Sequence, residues 1–501
     1  MSTLKRFAGQ TAIYGLSTIA SRVLNFFLTP VYVHQYSPST YGIFTNMYAW
    51  SSIINAILAF GMETTFFRYL IKFKERRDAV YANAFLAIAS LALVFMALAL
   101  IFSNHIAAWM QPHDLRKQAD YVIYIRLFAG ILTVDAFNVI PFARIRAENR
   151  PVRYGWIKCL NILLFIALNL VFIFLIPHII RNQLPGHAFF THHFRVGWIG
   201  YVFVANLISS ILTLLLLLPE LLKLKPRFDL PMFLDMLGYS WPVLVANLSF
   251  VVNENIDKLF LQALLPAKIS ETQLGIYGAC AKLAVFLSIF VQAFRLGAEP
   301  FYFSQSGKDN ARQTYARIMD YFVIVMMLAT VALIANVEIL KYFVRGKTAE
   351  EQMLYWSGLR VVPILLMGYV CLGIYMNLSV WYKLSDQTRY GLYISGAGAL
   401  VTIVLNILFI PTQGYMAAAW VSLTAYALMM ILSYTLGNRN YPIPYNVRKN
   451  GAYILAGMGC IILSFVVFKR NLLTGNLIFL LFLGGTLYAE RNELKQIWKR
   501  A

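Results

Sequence analysis

Charge is scarce in this chain, and acidic charge is the scarcest. Only 13% of the 501 residues are Asp, Glu, Lys or Arg, and 22 acidic residues stand against 43 basic ones. Apolar residues make up 59% of the chain, and the mean hydropathy is +0.64. Because a soluble domain usually carries about 25% charged and about 45–50% apolar residues, this composition excludes an ordinary soluble protein and indicates an integral membrane protein.

Cysteine is also rare, and each cysteine lies alone in a different segment: Cys159, Cys280, Cys371 and Cys460. Their spacing matches neither a disulfide framework nor a metal-ligand pattern, so we expect small buried hydrophobes and no metal site. The chain also lacks a soluble stretch large enough for a nucleotide-binding domain. We therefore expect no catalytic residues, no bound cofactor and no direct use of ATP.

Long apolar runs dominate what remains. Windows of at least about 18 mostly apolar residues, each long enough to cross a hydrocarbon core of about 30 Å, recur to the end of the chain. The predicted fold is an all-α integral membrane protein with fourteen transmembrane helices, at 7–33, 40–67, 79–103, 119–143, 155–177, 197–218, 238–264, 273–303, 314–336, 353–381, 389–410, 415–436, 452–468 and 472–489.

The formal charge of +21 is explained by the orientation of the chain in a membrane rather than by nucleic-acid binding. Most Lys and Arg residues of the loops lie on one side of the predicted spans, in clusters such as 72–77, 144–158 and 223–227. Both termini fall on the same side. Since basic loops stay on the cytoplasmic side of a membrane, both termini are predicted to be cytoplasmic.

An internal repeat appears when the chain is compared with itself at a shift of about 235 residues. Tyr41-Gly-Ile-Phe44 then aligns with Leu274-Gly-Ile-Tyr277, and Arg153-Tyr-Gly155 aligns with Arg389-Tyr-Gly391. The repeat predicts an N-terminal lobe at 1–225, a C-terminal lobe at 226–440 and an added helix pair with a cytoplasmic tail at 441–501. Two repeats with even helix numbers share one orientation, which predicts a pseudo-two-fold axis along the membrane normal and a central cavity between the lobes.

The most polar membrane segment is 248–260, which carries Asn253, Glu254, Asn255, Asp257 and Lys258 inside an otherwise apolar run. A charged side chain at bilayer depth costs about 2.5–3.5 kcal/mol or more, so it is retained only where it faces protein or a water-filled cavity. We therefore interpret this segment as the wall of a polar path through the membrane.

Other ionisable residues also fall at predicted membrane depth, and cations outnumber carboxylates among them. The basic ones are Arg22, Arg68, Arg126, Lys258, Lys282, Arg295 and Arg360, and the acidic ones are Glu63, Asp135, Glu254, Asp257 and Glu299. Helical spacing allows ion pairs between Glu254 and Lys258 and between Arg295 and Glu299, and pairing or ligand contact both remain open for these four. A net positive interior suits an anionic substrate, whereas a cavity for organic cations would lean acidic.

Several short segments give the chain a family resemblance: Ser21-Arg22, Thr29-Pro30, Tyr41-Gly42, Gly61-Met-Glu63 and Asn255-Ile-Asp257-Lys258. With its arrangement of six, six and two helices, the chain resembles the polysaccharide transporter branch of the multidrug/oligosaccharidyl-lipid/polysaccharide (MOP) exporter superfamily. Within that branch it is similar to flippases for O-antigen and related lipid-linked oligosaccharides.

The resemblance implies a multi-pass protein of the bacterial inner membrane that carries an undecaprenyl-pyrophosphate-linked oligosaccharide to the outer leaflet by alternating access. It implies a V-shaped two-lobed fold and coupling to an H⁺ or Na⁺ gradient. The expected partners are the anionic lipid-linked oligosaccharide, membrane lipids and polysaccharide polymerase machinery, with no nucleic acid. In the related peptidoglycan-precursor flippases, basic residues of helices 1, 2 and 8 line the cavity. Arg22 and Arg295 match those of helices 1 and 8, whereas Arg68 lies near the cytoplasmic end of helix 2, and this mismatch favours an O-antigen-type substrate.

On this basis we assign substrate binding to Arg22, Asn255, Lys258 and Arg295. Arg126, Lys282 and Arg360 are expected to line an exit path, and Asp257, Glu63 and Asp135 are the candidates for ion coupling. Two other functions remain open. One is a cation-coupled multidrug antiporter of the same fold, and the other is a membrane-embedded glycan polymerase or ligase. Such enzymes usually carry a sizeable outer loop, whereas the longest loop here is about 178–196.

Overall fold

The computed structural model describes residues 23–24, 26–111, 114–225, 227–305, 309–385 and 387–498. Over these residues the regular structure is entirely helical. Thirteen segments of the described chain are long and apolar enough to cross a membrane, and they follow the second to fourteenth predicted spans in order. The prediction of an all-helical membrane fold is therefore confirmed. The first predicted span, 7–33, lies mostly outside the described residues.

The chain divides into two compact units, with the boundary after Gly275. The helices of the first unit are α1 (Thr29–Gln35), α2 (Pro38–Ala59), α3 (Met62–Lys72), α4 (Arg77–Ile101), α5 (Ser103–Met110), α6 (Leu115–Ala147), α7 (Pro151–Leu170), α8 (Ile176–Arg181), α9 (His187–His193), α10 (Gly200–Leu221) and α11 (Leu230–Leu264). A π-helical turn, Val171–Leu175, joins α7 to α8, so the two helices form one continuous span.

Helix α12 (Ala267–Gln305) begins in the first unit and continues into the second. The other helices of the second unit are α13 (Ala311–Ala335), α14 (Val337–Leu340), α15 (Ala349–Ser357), α16 (Val362–Leu378), α17 (Val380–Leu384), α18 (Arg389–Gln413), α19 (Tyr415–Asn440), α20 (Val447–Ile462), α21 (Leu472–Ala489) and α22 (Arg491–Trp498). Short 3₁₀ turns at Lys341–Val344 and Gly358–Val361 precede α15 and α16.

Helix α11 belongs to the first unit because it packs along α2, α3 and α4. The core beside it is formed by apolar side chains of α3, α4 and α6, among them Phe66, Ile88 and Ile140, which are all almost fully buried. The predicted lobes at 1–225 and 226–440 follow the sequence repeat instead, and their boundaries stay a prediction.

The second span is bent where α2 ends and α3 begins. Phe60 and Gly61 both have left-handed backbone conformations, with φ of 47° and 65°. A Cβ atom on Gly61 would lie 2.9 Å from side-chain atoms of Val243 in α11, so the close packing of this bend also favours glycine. One turn later, the hydroxyl groups of Thr65 and Ser240 are 2.6 Å apart. The bend therefore brings the start of α3, including Glu63, next to α11.

Two repeat-related helix starts cross at a pair of glycines. A Cβ atom on Gly42 in α2 would come closer than 3.0 Å to the carbonyl oxygen of Glu271 in α12, and a Cβ atom on Gly275 would do the same to the carbonyl oxygen of Pro38. Pro38 and Glu271, like Gly42 and Gly275, are 233 residues apart, which is the shift of the repeat in this region. The crossing is therefore reciprocal, and each helix start fits into the space left by the other's missing side chain.

Candidate functional site

The polar segment identified in the sequence lies on the last turns of α11. Asn253 and Asp257 are buried there, while Glu254, Asn255 and Lys258 are partly exposed. The Lys258 ammonium donates to the backbone oxygen of Glu254 at 2.6 Å and to Oδ1 of Asp257 at 3.3 Å.

These contacts answer the pairing question that the sequence left open. The ion pair of Lys258 is with Asp257, its neighbour in the chain, and not with the Glu254 carboxylate. Two of the three ammonium donors are thereby used. The side chain keeps 21% exposure, so Lys258 retains a surface that a ligand can reach. The amide nitrogen of Asn255 donates to the backbone oxygen of Val251 at 3.1 Å.

Glu63 and Asp135, two of the predicted ion-coupling residues, lie in different surroundings. Glu63, in the first turn of α3, forms an ion pair with Arg146 at the end of α6. Asp135 lies in the middle of α6 and accepts a hydrogen bond of 2.7 Å from the hydroxyl of Ser210 in α10. The charge of Lys158 attracts Asp135, and the Lys158 ammonium lies 4.4 Å from the centre of the Phe142 ring.

The remaining predicted cations are spread over the chain. Arg22 lies outside the described residues. Arg126, on α6, is exposed and donates to the Ser103 hydroxyl at 3.3 Å. Lys282 is partly buried in α12, and Arg360 is exposed in the 3₁₀ turn before α16. The roles of these four residues stay predictions.

Arg295 lines a narrow cleft in the second unit. The cleft lies among α12, α16 and α17, and it is nearly closed, with about 10 Å³ of space that a water-sized sphere can enter. Its other polar residues are Tyr302, Asn377, Ser379 and Lys383. Among the described residues that line it, two are cations and none is a carboxylate. Glu299 is the predicted helical partner of Arg295, and its side chain is not among those that the structure describes.

Asn377 gives this cleft an unused hydrogen-bond donor. Its Oδ1 accepts a hydrogen bond of 2.5 Å from the Tyr302 hydroxyl, which orients the amide. The backbone oxygen of Tyr302 in turn accepts from the Tyr315 hydroxyl at 2.8 Å. Nδ2 of Asn377 is buried and has no hydrogen-bond partner. A buried donor without a partner is costly, typically about 1–3 kcal/mol, so an acceptor that entered the cleft would relieve this cost.

Two buried carboxylates that the sequence did not indicate are fully engaged. Glu271, at the start of α12, accepts from Lys117 Nζ at 2.7 Å, and its other oxygen accepts from Gln111 and Tyr121. Glu220, at the end of α10, contacts three cations at 2.9–3.2 Å: Arg150, Arg153 and Lys223. Both glutamates lie just beyond the apolar windows from which the spans were predicted, so hydropathy gave no signal for their burial.

The carboxylates and cations described above are arranged differently in the two units. In the first unit, the carboxylates of Glu63, Asp257, Glu271 and Glu220 each contact a cation. In the cleft of the second unit, cations and an amide donor face a space without a described carboxylate. An anion suits such a lining, because the Arg295 guanidinium and the unpartnered Nδ2 of Asn377 are both donors.

Comparison with known proteins agrees with the helical architecture. The family model described as "Polysaccharide biosynthesis protein" matches residues 7–298, and the MatE model matches residues 242–408. A search of curated proteins finds no match to this sequence.

Three solved structures share the fold at low sequence identity. The structure titled "Lipid II flippase MurJ, inward closed conformation" is 13% identical with a TM-score of 0.71, covering 96% of this chain and all of that one. An inward-facing multidrug resistance MATE family transporter of the MOP superfamily is 14% identical with a TM-score of 0.65, covering 91% of this chain and 99% of that one. A MOP superfamily transporter from Pyrococcus furiosus is 15% identical with a TM-score of 0.54, covering 86% and 95%.

Proposed function

The chain belongs to the polysaccharide biosynthesis protein family, within the MOP exporter superfamily of membrane transporters and flippases, and from this premise we propose its substrate. We propose that it moves an undecaprenyl-pyrophosphate-linked oligosaccharide from the inner to the outer leaflet of the bacterial inner membrane. Both termini would lie in the cytoplasm, and polysaccharide polymerase machinery would take over the product.

One observation carries the choice of an anionic substrate. The cleft beside Arg295 combines two cations with a buried, unpartnered amide donor, and its described lining has no carboxylate. A charge at membrane depth is expensive, and no described carboxylate lines the cleft beside Arg295, so an anionic ligand would complement the Arg295 guanidinium and the Asn377 amide. A pyrophosphate suits these donors because Arg offers a planar fork of donors and Lys a compact charge, and the nearly closed cleft would have to widen to admit it.

The proposed transport step follows from this chemistry. Arg295 neutralises the pyrophosphate with Lys383 beside it, polar walls accept the sugars, and the prenyl tail stays in the lipid; Arg22 and Lys258 keep their predicted substrate-binding role. Alternating access of the two repeats then exposes the headgroup on the outer side. Coupling to H⁺ or Na⁺ would use Asp135, Glu63 or Asp257. Asp135 accepts a hydrogen bond from the Ser210 hydroxyl, whereas Glu63 and Asp257 are each in an ion pair.

The test removes each cation of the cleft in turn. Arg295→Gln and Lys383→Gln are expected to abolish flipping of a prenyl-pyrophosphate glycan in reconstituted vesicles and to abolish surface-polysaccharide assembly in cells. Lys268→Gln is the matched control, because Lys268 is exposed in the first turn of α12. Normal flipping by both cleft variants, at wild-type protein levels, would contradict the proposal.

A second candidate function is a cation-coupled multidrug antiporter, which the MatE match over residues 242–408 favours. An antiporter for cationic drugs should confer resistance to cationic dyes on expression, and its deletion should leave surface glycans intact. Flipping of the prenyl-pyrophosphate glycan without dye resistance would decide for the flippase.

A further inference from the structure

A second and larger cleft, which we name the basic cleft, lies at the ends of three helices of the first unit. It has a volume of about 670 Å³ and is formed by the loop between α3 and α4, the segment before α11 and the first residues of both α4 and α11. Four cations line it, Lys74, Arg76, Arg77 and Arg227, together with three carboxylates, Glu75, Asp78 and Asp229.

Two of these carboxylates are already neutralised. Asp229 contacts Arg76, and Asp78 accepts from Lys225 Nζ at 2.8 Å. Within the part of the chain that the structure describes, Lys74, Arg77 and Arg227 have no carboxylate within 4.0 Å. Three cations therefore face the cleft against the single carboxylate of Glu75, and the cleft has an excess of positive charge.

The frame of the basic cleft is held in place by buried hydrogen bonds. Asn83 of α4 is fully buried. Its Nδ2 donates to the backbone oxygen of Asp229 at 3.3 Å, and its Oδ1 accepts from the backbone nitrogen of Asp229 at 3.2 Å. The Asp229 carboxylate also caps α11 by accepting from the Met232 nitrogen at 3.1 Å. Helices α4 and α11 thus both start at the cleft, and their N-terminal dipoles add to its positive potential.

The basic cleft lies at the membrane surface. One span ends at Lys72, and two others begin at Arg77 and Leu230, so three membrane crossings terminate around it. The apolar side chains next to it are well exposed, at 53% for Phe228 and 55% for Leu230. A cleft for a soluble anion has no need of exposed apolar neighbours, whereas a lipid offers both a charged headgroup and acyl chains.

We propose that the basic cleft binds the headgroup of an anionic phospholipid, with Arg77 and Arg227 contacting the phosphate and Phe228 and Leu230 contacting the acyl chains. Basic pockets at the cytoplasmic ends of membrane helices recognise such headgroups, and the loops concerned are those that the charge distribution assigns to the cytoplasm. The bound lipid would hold the segment before α11 against the loop that precedes α4. This site is separate from the cleft beside Arg295 and does not depend on the transported substrate.

The experiment measures the heat stability of the purified full-length protein in detergent, with phosphatidylglycerol, phosphatidylcholine or glycerol 3-phosphate added. Phosphatidylglycerol is expected to raise the midpoint of wild type more than phosphatidylcholine does. A surface cation contributes about 1 kcal/mol to binding an anionic lipid, so Arg77→Gln with Arg227→Gln should weaken phosphatidylglycerol binding about 30-fold.

Two further variants separate the causes. Arg181→Gln with Lys268→Gln removes the same charge from exposed positions elsewhere and is expected to bind like wild type. Arg77→Lys with Arg227→Lys keeps the charge and is expected to retain most of the stabilisation, even if the Gln pair fails to fold. Equal stabilisation by both lipids, equal loss in the Arg181 and Lys268 control, or full stabilisation by glycerol 3-phosphate alone would each overturn the proposal.

Discussion

The reciprocal glycine crossing between α2 and α12 predicts that alanine at Gly42 destabilises the protein. The added Cβ would lie closer than 3.0 Å to the Glu271 carbonyl oxygen, and a backbone atom cannot turn away as a side chain can. The two helix starts must therefore move apart. Gly238→Ala in α11 is the matched control, because a Cβ there meets nothing within 4 Å.

The size of the effect follows from comparing these two variants. Alanine in place of glycine favours a helix by about 1 kcal/mol, and both positions lie within helices. Because this gain is common to both, the difference between them isolates the steric cost. Overpacking of a tight contact typically costs about 1–3 kcal/mol, so Gly42→Ala should be less stable than Gly238→Ala by about that amount.

Reciprocity adds a second expectation. Once Gly42→Ala has separated the helix starts, Gly275→Ala should cost little more, since the same movement makes room for both methyl groups. Coupled sites of this kind are non-additive, and the double variant should therefore lose less than the sum of the single losses.

The assay is the temperature at which the detergent-purified protein loses its monodisperse peak in size-exclusion chromatography. Wild type, the two single crossing variants, the double variant and Gly238→Ala would be heated in parallel. If Gly42→Ala is as stable as Gly238→Ala, the close crossing is refuted, and strictly additive losses at Gly42 and Gly275 would refute its reciprocity.

Three further predictions concern the charged and polar groups. Glu220→Gln should lower the midpoint of heat denaturation by an amount equivalent to about 1–3 kcal/mol. The three cations around Glu220 lose their counter-ion in this variant but can turn toward water. Glu75→Gln, at an exposed loop position, is the control and should leave the midpoint unchanged. Burial raises the pKa of Glu148, but hydrogen bonds from Arg144 and Arg150 outweigh it and hold the pKa below its ordinary value. Wild type should therefore be more stable than Glu148→Gln at pH 7. The difference should begin to shrink as the pH falls through about 4.3, where the unfolded carboxyl takes up its proton, and should be lost only as the pH falls through the lower pKa of the folded carboxyl; a constant difference from pH 7 to pH 3 would contradict this. Asn377→Asp adds a carboxylate to the cleft beside Arg295 and should stop flipping of a pyrophosphate-linked substrate in vesicles while Asn377→Ser retains part of it; full activity of Asn377→Asp would exclude an anion at this position.

Much of the fold and part of the site could be predicted from the sequence. The spans could be predicted because each polar residue placed in hydrocarbon adds its own free-energy cost. The length of an apolar run is therefore enough to indicate a membrane crossing. The segment around Lys258 could be identified for the same reason, because it carries charged residues inside a predicted membrane span, where a charge has a high free-energy cost. Its pairing could not be predicted, because Asp257 and Glu254 both lie within reach and only side-chain packing selects between them.

The sequence by itself determined that the chain is a helical membrane protein, which family it resembles, and that positive charge prevails among its membrane-depth groups. These properties are local or additive, so they can be obtained without knowing which helices touch. Only the tertiary structure decided that Glu220 and Glu271 are buried against cations, that Gly42 and Gly275 form one crossing, and that Asn377 keeps an unused donor. Each of these depends on contacts between distant parts of the chain, or between side chains whose orientation is fixed only when the helices pack.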